Sequence, residues 1–332
     1  MKKALSYLFS IPVVLLWHSA VFAQFEEKKK DFYTAEMQVI SDNDNYLFQL
    51  KDGYYTNGIR FTFSALRYDK EKTGRPRNET LLKIINRFEA GQSIYNPVGY
   101  LKETNGLIDR PFAGYLYGKF QQDRFYKNGT IAALAISAGT IGKSSLAERI
   151  QKGYHRFFHL YPIEGWETQL KDEANINLHL QYIKPLLQPL TRKNIFALDA
   201  TGKLNAGTVF TNVSAGLSLR FGLTEQNHQS VLYHARLHRR QPAYYRTAEF
   251  FFFFQPELGY HIYNATLQGG LFRKDKGEHT ASPMPWVYQH RWGLAYAKEN
   301  FSLSIAVIRR SREARTMVNN ENYASAGLSL RF

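Results

Sequence analysis

Cysteine is absent from the 332 residues. That excludes a disulfide framework, a thiol nucleophile and any Cys-ligated metal. Long hydrophobic runs are scarce too. After the N-terminal stretch, no apolar segment approaches the roughly 20 residues that a membrane helix needs. Glycine and proline number only 23 and 11, while 15% of residues are aromatic, which excludes a disordered or low-complexity chain. A Gly-x-Ser-x-Gly nucleophile elbow and a phosphate-binding Gly-rich loop are missing. Acidic residues are outnumbered, 28 against 43 Lys and Arg, for a net charge of +15. Such a balance favours anionic partners: nucleic acid, phospholipid or a phosphorylated glycolipid.

The N-terminus narrows that choice. Lys2 and Lys3 precede the apolar run Ala4 to Trp17, and Val21-Phe22-Ala23 ends it on a small residue. This is the pattern of a secretory leader, residues 1–23, cleaved after Ala23. An uncleaved anchor helix is the alternative, but the run is short for a bilayer. Export leaves a +13 mature chain, 24–332, for which lipid is a better anionic partner than nucleic acid. The basic segment Arg236-Leu237-His238-Arg239-Arg240, with Arg246, has no nucleic-acid motif around it. We expect it on the periplasmic side, against anionic headgroups or solvated.

The mature chain repeats one pattern of short segments alternating apolar and polar residues. Examples are Asn57-Gly58-Ile59-Arg60-Phe61-Thr62-Phe63 and Phe301-Ser302-Leu303-Ser304-Ile305-Ala306-Val307. The C-terminus closes with Leu328, Leu330 and the terminal Phe332 on one face. Alternation, export and a terminal aromatic together predict an all-β fold, a twelve-stranded antiparallel transmembrane β-barrel of the bacterial outer membrane. A soluble periplasmic sandwich is the competing fold. The strands are expected near 34–43, 55–67, 84–94, 111–122, 129–140, 174–187, 193–204, 211–222, 246–264, 284–297, 299–311 and 321–332. An even number returns both termini to the periplasm. Short connections then fall inside and long ones outside, except for Tyr68 to Lys83 and Leu223 to Tyr245. The third outer loop carries helical spacing over Ser144 to His159, through Leu146, Ile150, Tyr154, Phe157 and Phe158. Ser144 or Ser145 is the expected cap, with Glu148 completing a capping box.

Strand parity brings five polar clusters to the outer rim. They are Asp42-Asn43-Asp44-Asn45, Asp52 to Gly58, Gln92 to Pro97 and on to Lys102, Asp109 to Tyr115, and loop-three Gln151, His155, His159 and Pro162 to Gln169. Oxygen-rich Asn and Asp groups suit a hard cation such as Ca²⁺, and a nearby His can activate water. Each cluster also has a plainer reading. Asp-Asn runs are usually turns. Asp109-Arg110 reads more readily as a structural ion pair than a catalytic one. His155 and His159 are spaced as a zinc pair, but without the His-Glu-x-x-His arrangement. Trp166 reads as an interfacial or packing aromatic.

Taken in order, Ser41-Asp42-Asn43-Asp44, Tyr55-Thr56-Asn57-Gly58, Gln92-Ser93-Ile94-Tyr95-Asn96-Pro97, Asp109-Arg110-Pro111-Phe112-Ala113-Gly114, Gln151 with His155, and Gly165-Trp166-Glu167-Thr168-Gln169 resemble the outer-membrane lipid A 3-O-deacylases. The resemblance covers about residues 34–332. It implies a Ca²⁺-dependent esterase that removes the 3-position acyloxyacyl chain of lipid A or lipopolysaccharide. Carried over by position, Asn43 and Asp44 match the cation pair and Thr56 the rim threonine. Lys102 matches a basic active-site residue, Gln151 a helix glutamine and His155 the catalytic histidine. Lys102, with Arg110, is expected to pair with a glucosamine phosphate. The family pattern has a Glu six residues after the histidine and just before Tyr-Pro. Here that count lands on Tyr161, and anchoring on Tyr161-Pro162 instead gives His159. Neither is a carboxylate. A phospholipase and a non-enzymatic, porin-like barrel are the rival readings. We expect a monomer.

Overall fold

The computed structural model describes residues 32–48, 52–69, 80–98, 108–189, 195–239 and 248–332. The leader, Lys102, Arg240 and Arg246 lie outside them. Twelve strands form a closed, wholly antiparallel barrel: β1 Ala35–Asn43, β2 Tyr54–Asp69, β3 Leu81–Asn96, β4 Ala113–Tyr126, β5 Ile131–Ile141, β6 Glu173–Leu187, β7 Phe196–Gly207, β8 Phe210–Leu223, β9 Ala248–Asn264, β10 Trp286–Lys298, β11 Phe301–Arg310 and β12 Glu321–Arg331. Each pairs with its neighbours in sequence, and β1 closes on β12 from Glu36↔Arg331 to Asn43↔Ala324. Count, order and approximate bounds are those the alternation predicts.

The two-residue period sorts side chains onto the two faces of the wall. Met37, Phe61, Phe88, Leu134, Ile176, Leu258 and Ile305 are exposed on the outside. Glu36, Asp42, Ser64, Asp123, Asp199 and Arg220 are buried within. An apolar exterior around a polar lumen is the arrangement of a lipid-embedded barrel. No described helix is long and apolar enough to cross a membrane.

The β8–β9 connection corrects one expectation. Its described part, residues 224–239, is neither solvated nor at a headgroup surface, because it folds into the lumen. Val231 and Leu232 pack against a cluster with Tyr55, Tyr95, Phe251 and Phe253, while Tyr233, Ala235 and Leu237 join Leu66, Ile85, Phe125, Ile131 and Ile183 opposite. Polar groups of the segment find partners on the wall. The Tyr233 hydroxyl donates to Asp199 at 2.6 Å, and His234 Nδ1 lies 3.2 Å from Glu36. Lys83 donates to the Ala235 and Leu237 carbonyls. Arg236, at the centre of the basic run, is 1% exposed and pairs with Glu249 at 3.1 Å. Glu249 also accepts from the backbone N–H groups of Glu225 and Val231 and from the Ser230 hydroxyl. A basic stretch reads as surface in sequence. Here the charge of Arg236 is compensated by the lumenal Glu249 carboxylate, which makes its burial affordable.

A lumen crossed by a packed segment should not conduct. We expect the refolded protein to give no stable current steps in planar bilayers. Glu249→Ala removes the acceptor shared by four donors. It should destabilise the barrel by about 3–5 kcal/mol, the usual cost of breaking a buried pair. Heat-shifted electrophoretic mobility reads the loss, and current steps should appear in the variant alone.

Candidate functional site

Loop three does not stand away from the barrel. Helix α1, Ala147–Phe157, lies against the outer wall of β3 and β4 at the rim. Gly114 permits the close approach, since a Cβ there would collide with Ser145 Oγ and the Cβ of Ala147. Gln92 of β3 donates to the Ser145 carbonyl at 2.6 Å. Below α1, Trp166, Phe112, Ile94 and Ala147 form a buried cluster, with the Trp166 and Phe112 rings 5.1 Å apart. The expected serine cap is not formed. Leu146 occupies the N-cap in the left-handed region at φ 62°, and the Ser145 hydroxyl donates to the Gly142 carbonyl. Glu148 instead pairs with Lys152 at 2.8 Å.

The buried face of α1 is its polar face, Ala147, Gln151 and His155. Gln151 is held at both ends: its amide donates to Asp52 Oδ2 at 2.7 Å, and its carbonyl accepts from Trp166 Nε1 at 2.9 Å. Trp166 therefore packs as expected and also orients the glutamine. His155 Nδ1 lies 2.8 Å from the Tyr161 carbonyl and Nε2 lies 2.9 Å from Asp52 Oδ2. Because Tyr161 offers only an acceptor, Nδ1 carries the proton. The Tyr161 hydroxyl in turn accepts from the Asp52 backbone N–H at 2.7 Å. Asp52, absent from the expected site residues, is thus the carboxylate of the histidine. Its signal in sequence was only membership of a rim cluster.

Beside this group lies Asp44. Asn43 caps the short 3₁₀ turn Asp44–Leu47, its Oδ1 accepting from the Asn45 N–H at 2.7 Å, so the turn reading of the Asp-Asn run holds. The turn directs Asp44 toward the start of β2. Its Oδ2 accepts from the Gly53 N–H and from the Thr56 hydroxyl, both at 2.9 Å. Thr56 sits at a register shift between Tyr55 and Asn57, a bulge of the kind that re-aims a side chain at a rim. Asp44 Oδ1 is buried without a hydrogen-bond partner.

The charges follow from burial and neighbours. Burial, then the nearby Asp52 charge, pushes the Asp44 carboxyl up to about 7. Burial would also raise Asp52, but the hydrogen bond and charge of His155, with Gln151 and Tyr161, outweigh it and hold that carboxyl below its usual range. Burial works against a charged His155, yet Asp52, the Tyr161 carbonyl and the more distant Asp44 raise it above the ordinary imidazole value.

Thr56, Gln151, His155 and Asp44 are therefore brought together, with Asn43 forming the turn that aims Asp44. Arg110 is not. It is fully buried, donates to Glu313 at 2.9 Å and to Thr266 at 2.8 Å, and its guanidinium covers the Tyr95 ring at 4.3 Å. It cannot meet a lipid phosphate from there. Nor does it pair with Asp109, which accepts from the Tyr54 hydroxyl. His159 lies exposed beyond the end of α1, so no His155–His159 zinc pair exists.

Among the described residues no group of three or more His, Asp and Glu side chains is arranged to hold a metal alone. An orphaned carboxylate oxygen beside a second carboxylate is nevertheless a deficit of positive charge. Oxygen donors on Asp44, with the Asn43 carbonyl nearby in sequence, fit a hard divalent cation whose remaining positions go to water or substrate.

The chain matches the family described as Outer membrane protein LpxR over residues 8–332. The structure of LpxR from Salmonella typhimurium superposes with a TM-score of 0.68 at 18% identity, covering 90% of this chain and 100% of that one. The β domain of the Bordetella autotransporter BrkA is a looser likeness, with a TM-score of 0.45, 9% identity and coverage of 91% and 100%. The translocator domain of NalP from Neisseria meningitidis is similar at 0.44 and 9%, with coverage of 100% and 98%. No curated protein matches the chain.

The His155–Asp52 contact sets a titration. Wild-type His155 should lose its proton above the ordinary value of about 6.5. Asp52→Asn keeps the burial but removes the negative partner, so the midpoint should fall below that value. Histidine-selective NMR on the refolded protein reads both, and an unmoved midpoint would separate Asp52 from the imidazole.

Proposed function

Since the chain belongs to the LpxR family of outer membrane proteins, we propose that it is a lipid A 3-O-deacylase, releasing the 3-position acyloxyacyl chain by ester hydrolysis. The observation that carries this reading is the His155–Asp52 pair, held on the outer wall at the rim next to Asp44. Lipid A resides in the outer leaflet, and a site outside the wall meets it without passage through the lumen. A porin-like role is disfavoured by the segment that fills that lumen.

The residues divide the work as follows. The Tyr161 carbonyl fixes the Nδ1 proton, so His155 Nε2 is the basic nitrogen. Once water replaces the Asp52 contact at Nε2, His155 takes a proton from it as the oxygen attacks the ester carbonyl. The Asp52 carboxylate, kept beside the imidazole by Gln151, then favours the imidazolium through its nearby charge and no longer through direct contact. The ester C–O bond then breaks, and the proton on Nε2 passes to the departing 3-hydroxyl oxygen. Ca²⁺ held at Asp44, with Asn43 and Thr56 shaping its surroundings, would polarise the carbonyl and stabilise the oxyanion when bound. Lys102 remains our candidate for a glucosamine phosphate.

Mass spectrometry of lipid A from cells with and without the protein tests the reading. A loss equal to the 3-acyloxyacyl chain is expected, and unchanged lipid A alongside hydrolysed phospholipid would point to a phospholipase. Chelation should abolish release, Ca²⁺ should restore it and Zn²⁺ should not; undiminished release in excess chelator removes the cation. His155→Ala should cost on the order of a hundredfold or more in rate, a typical general-base contribution. His159→Ala should be mild, since that side chain is exposed and outside the site.

A further inference from the structure

A helix packed on a protein wall ordinarily turns its apolar side inward. Helix α1 does the reverse. Leu146, Ile150, Tyr154 and Phe157 fall along one stripe, continued by Phe158, and all are exposed, Phe157 at 76%. Gln151 and His155 occupy the face against the barrel. The stripe is held together by its own rings, with Tyr154 and Phe158 centroids 4.6 Å apart and Phe157 and Phe158 4.9 Å apart. Such a patch in water would be a liability.

Two further observations say what covers it. The stripe is continuous with the apolar exterior of the barrel. Directly beneath α1 that wall opens into a groove of about 640 Å³ floored by Ala90, Gly118 and Ala138, one cross-strand row. Ala90 lies two residues below Gln92, the residue tied to the start of loop three, or about 7 Å along the strand. Beside the stripe, Arg149 and Arg156 lie seven residues apart, two helical turns, and both are exposed. An apolar stripe flanked by arginines on a short helix lying along a surface is the pattern of an interfacial helix.

We infer that the outward face of α1 is a membrane-seating surface. Its apolar stripe inserts among the acyl chains of the outer leaflet, and Arg149 and Arg156 meet the anionic phosphates of those lipids. The helix thereby sets the depth at which its opposite face, bearing His155, sits. This inference stands on the placement of α1 and not on the ester chemistry, although it gives that chemistry a height in the bilayer.

Insertion is read directly with Phe157→Trp in the full-length refolded protein, reconstituted into phosphatidylcholine vesicles containing lipid A. The emission added over wild type should be quenched strongly by lipids brominated along the acyl chain. Unquenched emission would mean that the stripe stands clear of lipid, as a surface for a protein would, and overturns the inference. A second arm uses Ile150→Ser with Phe157→Ser. Deacylation in bilayers should fall about tenfold or more, as interfacial binding scales with apolar area, while the rate on detergent-dispersed lipid A stays within about twofold. Equal loss in both media, or none in bilayers, also overturns it. Arg149→Gln with Arg156→Gln should reproduce the bilayer-only loss in milder form at low salt and lose its effect at high salt; no difference from wild type at low salt removes the phosphate contact. Should wild type release nothing in either medium, the deacylase reading fails and the quenching arm still decides the seating.

Discussion

A sheet in hydrocarbon can have no free edge, because an unpaired backbone amide or carbonyl there costs several kcal/mol. The ladder between β1 and β12 meets that constraint, running without a register shift over eight residue pairs. Closure then fixes which side chains face inward and which face lipid. Polar chemistry that must reach an outer-leaflet lipid is thereby denied the wall, which is apolar, and the lumen, which is filled. What remains is the rim, on the outside, and α1 carries Gln151 and His155 there against β3 and β4.

Buried charge is common in this molecule, and most of it is scaffold. Glu313, in the β11–β12 loop, is buried, yet Arg310 and Arg110 lie 3.1 and 2.9 Å away and hold its carboxyl well below the usual range despite that burial. Asp44 is just as buried, but its charged neighbour is another carboxylate, and one of its oxygens has no hydrogen-bond partner. Both groups are perturbed, so perturbation does not separate site from scaffold. The sign of the neighbour does. One carboxylate is satisfied within the fold, and the other is left asking for positive charge from outside it.

The strands were legible because period two is a local property, readable from a handful of consecutive residues such as Phe61, Phe63 and their polar alternates. Helix α1 was legible in position for the same reason, but not in orientation. Its apolar stripe, Leu146 to Phe157, carries no mark saying whether protein or lipid will cover it. The lumenal segment was illegible because Arg236 reads as surface until Glu249, thirteen residues later on β9, is known to face it. Asn43, Asp44, Thr56, Gln151 and His155 were legible through the order of their motifs. Arg110 sat in one of the same motifs, yet Glu313 claims it from 203 residues away. Asp52 was named only as part of a cluster, since nothing local distinguishes it; its partner His155 is 103 positions on, across the junction between loop three and the barrel.

At that junction the histidine finds a carboxylate from outside its own loop. Tyr161 supplies no acid, but its backbone carbonyl accepts a hydrogen bond from the His155 Nδ1–H and its hydroxyl accepts one from the Asp52 N–H. The carboxylate that meets His155 comes from the β1–β2 connection, and Gln151 and Trp166 fix its contact from the loop-three side. A carboxylate on the segment following α1 would stay near the histidine whether or not the loop were docked. Asp52 can meet His155 only when α1 lies on the wall, with Gly114 leaving room for Ala147. The histidine acquires its charged partner, and hence its raised affinity for a proton, by the same packing that leaves the apolar stripe of α1 exposed. The His155–Asp52 contact and the outward stripe therefore both follow from one feature, the docking of α1 on β3 and β4.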